Sequence, residues 1–124
     1  MVLVGLGGAI GSVLRYLTSV LAAHWLGDQF PYGTLIVNLV GSFAIGLVHQ
    51  VGSDSLLIPD NLRLFLTTGI MGGLTTYSTF DYETTKFLQD GAPVSALLNV
   101  GATLIACFVA GLLGIAVAKL FVGQ

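Results

Sequence analysis

Gly69-Ile70-Met71-Gly72-Gly73-Leu74-Thr75-Thr76-Tyr77-Ser78-Thr79-Phe80 decides how this chain is read. The stretch lies inside 124 residues that are 55% hydrophobic and 8% charged, against roughly 25% charged in a soluble domain. With a mean hydropathy of +0.94, the chain belongs in a membrane. Yet the stretch is a poor fit to an uninterrupted spanning helix. Paired glycines weaken a helix, and four hydroxyl residues, Thr75, Thr76, Ser78 and Thr79, follow within five positions. Backbone left unpaired in hydrocarbon costs several kcal/mol per group, so a break survives only where protein or a polar cavity covers it. Such breaks recur at ion and substrate sites. The stretch therefore reads as a broken helix and as the functional centre.

Four spans fit around it. A spanning helix takes about 20 residues, so residues 1–124 make a single all-α membrane domain with short loops. The N-terminal apolar stretch lacks the basic n-region and cleavage pattern of a signal peptide and reads as the first span, about Val2 to Leu26. Gly7 and Gly11 are spaced there for close helix approach. Arg15, the only charge in that span, either anchors the helix by snorkelling or faces an electropositive vestibule. Trp25, Phe30 and Tyr32 suit a membrane–water interface, and His24 has no partner at metal-ligand spacing. Span two runs from about Thr34 to Val48. Asn38, Ser42 and Gly46 share one of its faces, and Asn38 serves either an interhelical hydrogen bond or a pore lining. The polar loop from His49 to Asn61 includes Asp54, and its Pro59-Asp60 suits a helix start.

Span three runs from about Leu62 to Gln89, meets Gly72-Gly73 and resumes after the threonines. Tyr77 and Phe80 are three apart and share a face where the chain is helical. Asp81, Glu83 and Lys86 in the second half imply water or protein rather than lipid around it, and Glu83 and Lys86 are spaced to pair. Asp90-Gly91-Ala92-Pro93 ends this helix. Span four runs from Val94 to Ala118. Ser95, Asn99, Thr103 and Cys107 make a mildly polar stripe, and Ala102, Ala106, Ala110 and Gly114 a small one. Helix packing explains both, and a wet path is the competing reading.

Several classes are excluded. Four basic residues and a net charge of −2 make no nucleic-acid patch. The single Cys107 forms no intrachain disulfide. No triad, metal or phosphate-loop spacing is present, and the glycine pair lacks the context of a nucleotide fingerprint, so the chain does not read as an enzyme. Lys and Arg near the loops divide two against one, with Arg15 unassigned, which is close to no orientation bias. A chain inserted both ways could form an antiparallel dimer, its broken helices meeting near the midplane.

A broken helix ends in free carbonyls, which suit a cation, and restarts with free N–H groups, which suit an anion. An aromatic ring has a positive edge, an asparagine amide carries N–H donors, and the hydroxyls of Ser78 and Thr79 add more. These donors carry no full charge, which suits a conductor that must bind and release. Span two and the centre of span three would thus define an anion path.

Three segments make the chain resemble the Fluc/CrcB fluoride channels: Gly7-Gly8-Ala9-Ile10-Gly11-Ser12-Val13-Leu14-Arg15-Tyr16, Gly33-Thr34-Leu35-Ile36-Val37-Asn38-Leu39-Val40-Gly41, and Thr68 through Phe80. Their order and spacing agree with the family, as do the length and the four-span plan. The resemblance implies a dual-topology antiparallel homodimer in the plasma (inner) membrane, bounded by lipid and conducting fluoride passively out of the cell, which protects against fluoride toxicity. It implies that Asn38 lines a pore, that Tyr77 and Phe80 take the positions of two pore phenylalanines, and that Ser78 and Thr79 belong to a polar track. It further implies a structural Na+ held by the backbone carbonyls of Gly72 and Thr75 and their dimer mates, with Glu83 near a pore mouth and Arg15 near a vestibule. Tyr77 departs from the family's usual Phe by adding a hydroxyl. Two other readings stand beside the channel. One is a small dual-topology proton-coupled exporter, for which Glu83 is the candidate membrane carboxylate. The other is a non-transporting assembly subunit.

Overall fold

A computed structural model describes residues 1–54 and 58–121, and every regular element among them is helical. The order is α1 (Val2–Leu26), α2 (Tyr32–Asp54), α3 (Asp60–Leu64), a π-helix π1 (Phe65–Met71), α4 (Gly72–Leu74), α5 (Ser78–Gln89) and α6 (Pro93–Phe121). Three stretches are long and apolar enough to cross a membrane: Val2–Leu26, Tyr32–Gly52 and Pro93–Phe121, of 25, 21 and 29 residues. At about 1.5 Å per residue each spans the roughly 30 Å hydrocarbon core. The expected third span is a succession of short pieces over 60–89. Span two is longer than its hydropathy suggested, extending through the polar residues to Asp54, and 55–57 of the following loop lie outside the described residues.

The helix ends follow local chemistry. Gly27, at φ 90°, stops α1 while its N–H bonds to the Ala23 carbonyl at 3.1 Å. Pro59, extended at φ −61° and ψ 153°, precedes α3, as Pro59-Asp60 suggested. At the end of α5 the Ala92 N–H reaches the Phe87 carbonyl (2.8 Å) and the Gly91 N–H reaches Leu88 (3.2 Å). That double closure is a Schellman motif, with Gly91 at φ 75°. Pro93 then starts α6, where its missing N–H is harmless.

Small residues set the packing. A Cβ on Gly7 would lie 2.8 Å from the Gly69 Cα, and one on Gly11 would strike the Ile70 carbonyl and lie 2.8 Å from the Leu74 nitrogen. A Cβ on Gly73 would lie 3.1 Å from the Gly8 Cα. Gly7, Gly8 and Gly11 of α1 therefore serve backbone-to-backbone contact with 65–74. The glycine pair correspondingly differs from its expected role: Gly72 and Gly73 are helical, and the break falls just after them. The most extensive contact among the described elements is between α2 and α6, where Gly46 meets the Gly111 carbonyl and Gly114 meets that of Phe43.

The buried face of α6 is Ala96, Asn99, Thr103, Ala110, Gly114 and Ala118. It joins part of each expected stripe, and Ala102 is exposed. The reason is geometric. Steps of four residues drift by about 40° each at ~100° per residue, so only mixed steps of three and four hold one face.

Candidate functional site

The break lies at Thr75 and Thr76. Thr75 turns extended, at φ −77° and ψ 156°, and its hydroxyl is tied back to the Met71 carbonyl at 3.0 Å. Gly41 of α2 allows this, because a Cβ there would overlap the Thr75 methyl. One turn earlier on α2, Asn38 grips the backbone of the break from both sides. Its Oδ1 accepts the Thr76 N–H at 2.8 Å, and its Nδ2 donates to the Thr76 carbonyl at 3.0 Å. The interhelical-bond reading of Asn38 is thus realised, with a main-chain partner, while Asn38 also lines a groove.

Backbone carbonyls are released in consequence. In a continuous helix the Gly72 carbonyl would accept the Thr76 N–H and the Thr75 carbonyl the Thr79 N–H. The first N–H goes to Asn38, and the second goes to the Thr76 hydroxyl oxygen at 3.3 Å. Thr76 thereby caps the start of α5. The carbonyls of Gly72 and Thr75 are thus among those deprived of their helical donors at the break. Uncharged oxygens of this kind suit a hard monovalent cation, so the residues present fit the Na+ that the resemblance implies.

A groove of about 470 Å³ runs beside the break, and its lining includes Asn38, Thr76, Tyr77, Phe80, Thr103 and Cys107. Phe80 is 8% exposed and Tyr77 78% exposed, their ring centroids 5.9 Å apart and tilted by 55°. The structure therefore brings together Asn38, Tyr77 and Phe80. It does not bring Ser78 or Thr79 to the groove lining; both are exposed on the outer side of the α5 start. Arg15 is half-buried on α1 and also lies off the groove lining.

Glu83 lies elsewhere, lining hollows near the first loop with Asp28, Pro31 and Lys86. The Thr34 hydroxyl hydrogen-bonds its carboxylate, and its Oε1 is buried with no hydrogen-bond partner. The expected Glu83–Lys86 pair is not formed: Lys86 instead meets Asp90 at 3.3 Å, one full turn toward the C-terminal end of α5.

Sequence reasoning left one support unassigned. Asn99, 1% exposed, donates to the Thr84 hydroxyl (2.9 Å), which donates to the Phe80 carbonyl (2.9 Å). The stripe containing Asn99 was visible, but its partner sits on a helix 15 residues away. Replacing Asn99 by Ala opens this relay at a buried site and is expected to destabilise the protein by about 1–3 kcal/mol. Thermal unfolding of the purified variant checks it, and an unchanged midpoint would remove the relay from the stabilising contacts.

These features define a class: a small multi-pass helical membrane protein whose broken helix is held open beside a largely apolar groove that carries a few polar groups. Residues 2–115 match the family described as "CrcB-like protein, Camphor Resistance (CrcB)". The chain belongs to the CrcB family. It is 51% identical over 107 residues to a protein of Clostridium perfringens (strain 13 / Type A) named "Fluoride-specific ion channel FluC", covering 83% of this chain and 84% of that one. Proteins of the same name from Geobacter sp. (strain M21) and Sorangium cellulosum (strain So ce56) are 46% identical over 119 residues and 43% over 116. They cover 96% and 94% of this chain, and 96% and 91% of their own lengths.

Proposed function

We propose that the chain forms a fluoride-selective channel that lets fluoride leave the cell passively and electrogenically across the plasma (inner) membrane. The names carried by its relatives support the choice of ion. The observation that carries the reading is the groove wall at Asn38, Thr76 and Phe80, which offers hydrogen-bond donors without a full charge. One N–H of the Asn38 amide is committed to the Thr76 carbonyl, and an amide nitrogen has two. The Thr76 hydroxyl accepts from Thr79, which leaves its own hydrogen to donate. The Phe80 edge adds a weak positive contact. Fluoride exchanges water for such donors and is held loosely enough to move on.

In this reading the working unit is an antiparallel dual-topology homodimer. The exposed Tyr77, Ser78 and Thr79 would then be covered by a second copy, and the near balance of Lys and Arg between the two sides permits both orientations. Tyr77 stands at a pore-ring position, and Ser78 and Thr79 continue the polar track only once that copy is present. The carbonyls of Gly72 and Thr75, with those of a second copy, would hold a structural Na+. Such an ion supplies a fixed positive charge between protomers. Arg15 and Glu83, which lie off the groove lining, would serve at the approaches.

Fluoride efflux from liposomes containing the purified chain tests this, with chloride efflux measured beside it and a C-terminal tag assayed from both sides. Fast fluoride loss that charges the membrane, no chloride loss, and tags on both faces are expected. Intact protein without fluoride flux would overturn the channel. Cation uptake driven by a pH gradient and lost in Glu83→Gln would favour the exporter.

A further inference from the structure

α5 has little apolar surface to hold it in place. Only Phe80 among its residues is buried, and Tyr82 and Leu88 are exposed. Its inward face is Phe80, Glu83, Thr84 and Phe87, at the spacing of a single helix face. Phe87 meets the Phe30 ring with centroids 6.1 Å apart. The two residues between are polar, and each is tied to a different helix. Glu83 accepts from the Thr34 hydroxyl of α2. Thr84 accepts from the Asn99 amide of α6 and donates its own hydroxyl hydrogen to the Phe80 carbonyl, both at 2.9 Å. Apolar contact is non-directional and lets a helix turn about its axis, whereas a hydrogen bond weakens steeply as it bends. The relay from Asn99 therefore fixes the rotation of α5. Side chains reach roughly 5–6 Å from a helix axis, so a turn of about 20° sweeps the Phe80 ring by about 2 Å. Asn99 itself is buried and lies off the groove lining, so it acts on the groove only through Thr84.

We propose that Asn99 and Thr84 are positioning residues for the ion path: their relay sets the rotation of α5 and so holds the Phe80 ring at the groove. The consequence for flux rests on the channel reading, whereas the placement of the ring does not. Thr84→Val is the sharpest probe. It keeps the branched shape of the side chain, removes the hydroxyl and breaks both links at once. The Asn99 amide then loses its acceptor, and α5 is free to turn. Thr84→Ser returns the hydroxyl and both links with it. A misplacement of about 1 Å can cost an enzyme site about 100-fold. A channel holds its ion more loosely, so a loss of about tenfold in flux is expected.

The experiment uses the full chain with two readouts. One is fluoride efflux from liposomes, taken per folded protein. The other is the fluorine NMR spectrum of protein carrying 3-fluorophenylalanine, with the Phe80 resonance assigned by its loss in Phe80→Leu. Thr84→Val and Asn99→Ala are both expected to lose flux about tenfold and to move the Phe80 resonance, while the resonances of Phe43 and Phe108 stay in place. Thr84→Ser is expected to restore both readouts, which a merely stabilising role would not require of flux per folded protein. Thr84→Ala replaces Thr84→Val if the valine variant does not fold. Normal flux in the variants that lack the relay would overturn the proposal. Lost flux with an unmoved Phe80 resonance would overturn it too, and so would a serine variant as impaired as the valine one. Wild-type protein without flux would instead sink the channel reading, and the Phe80 resonance would then decide alone whether the relay places the ring.

Discussion

Asn38→Leu is expected to abolish fluoride efflux and to be among the most destabilising single changes in this chain. Leucine shares the γ-branched shape of asparagine, though it is larger, and can neither donate nor accept a hydrogen bond. It strips partners from both the N–H and the carbonyl of Thr76. Each buried group left unpaired costs about 1–3 kcal/mol, so the pair amounts to about 2–6 kcal/mol, and little water is near to compensate. The break would relax, and the Thr76 N–H would be free to return to the Gly72 carbonyl. A second variant separates support from conduction. Asn38→Asp keeps an acceptor for the Thr76 N–H but offers no N–H to the groove and adds a negative charge beside the proposed anion path. It is expected to retain part of the stability and to lose flux. Thermal unfolding and liposome efflux on both variants provide the check. A leucine variant with normal flux would show that the grip on Thr76 is dispensable, and a conducting aspartate variant would show that the amide donors are not used.

Gly11→Ala is expected to be nearly as damaging, although it adds one methyl group. That methyl would strike the Ile70 carbonyl and lie 2.8 Å from the Leu74 nitrogen, and both are backbone atoms that no rotamer change can move aside. Overpacking costs about 1–3 kcal/mol even where side chains can adjust. Here α1 must withdraw along the whole seam it shares with 65–74, carrying Gly7 away from Gly69. Gly5→Ala is the reference, because a Cβ there meets nothing within 4 Å. A lowered unfolding midpoint for Gly11→Ala beside a near-normal one for Gly5→Ala is the expected pattern. Equal midpoints would mean that the seam is softer than its glycines indicate.

Much of this architecture is legible in the residue order. Span one is bounded as hydropathy places it, and Gly91-Ala92-Pro93 punctuates the chain where turn chemistry says it should. The broken third segment is announced by hydroxyls that a lipid-facing helix does not need. Other features were hidden for definite reasons. The glycine pair was read as weakening the helix, but glycine serves close approach equally well, and only the position of Gly8 on a distant helix distinguishes the two roles. The partner of Asn38 is a backbone group 38 residues away, which side-chain identity does not encode. The reach of Lys86 toward Asp90 rather than Glu83 depends on Thr34 engaging the glutamate from another helix. The face of α6 required the helix phase, which a list of four-residue steps does not hold.

The π-helix from Phe65 to Met71 fixes something about the length of this chain as well as its shape. Its hydrogen bonds reach one residue farther than those of an α-helix, so the stretch contains residues that a regular helix of the same reach would omit. Hydropathy would scarcely register the deletion of one residue from it. A π stretch turns less per residue than an α-helix, so losing one residue while the regular ladder re-forms would leave Thr76 facing Asn38 and Gly73 facing Gly8 nearly as before. The same loss from a regular helix such as α1 would turn everything beyond it by about 100°. Between Phe65 and Met71 the chain can therefore shed a residue that its regular helices cannot.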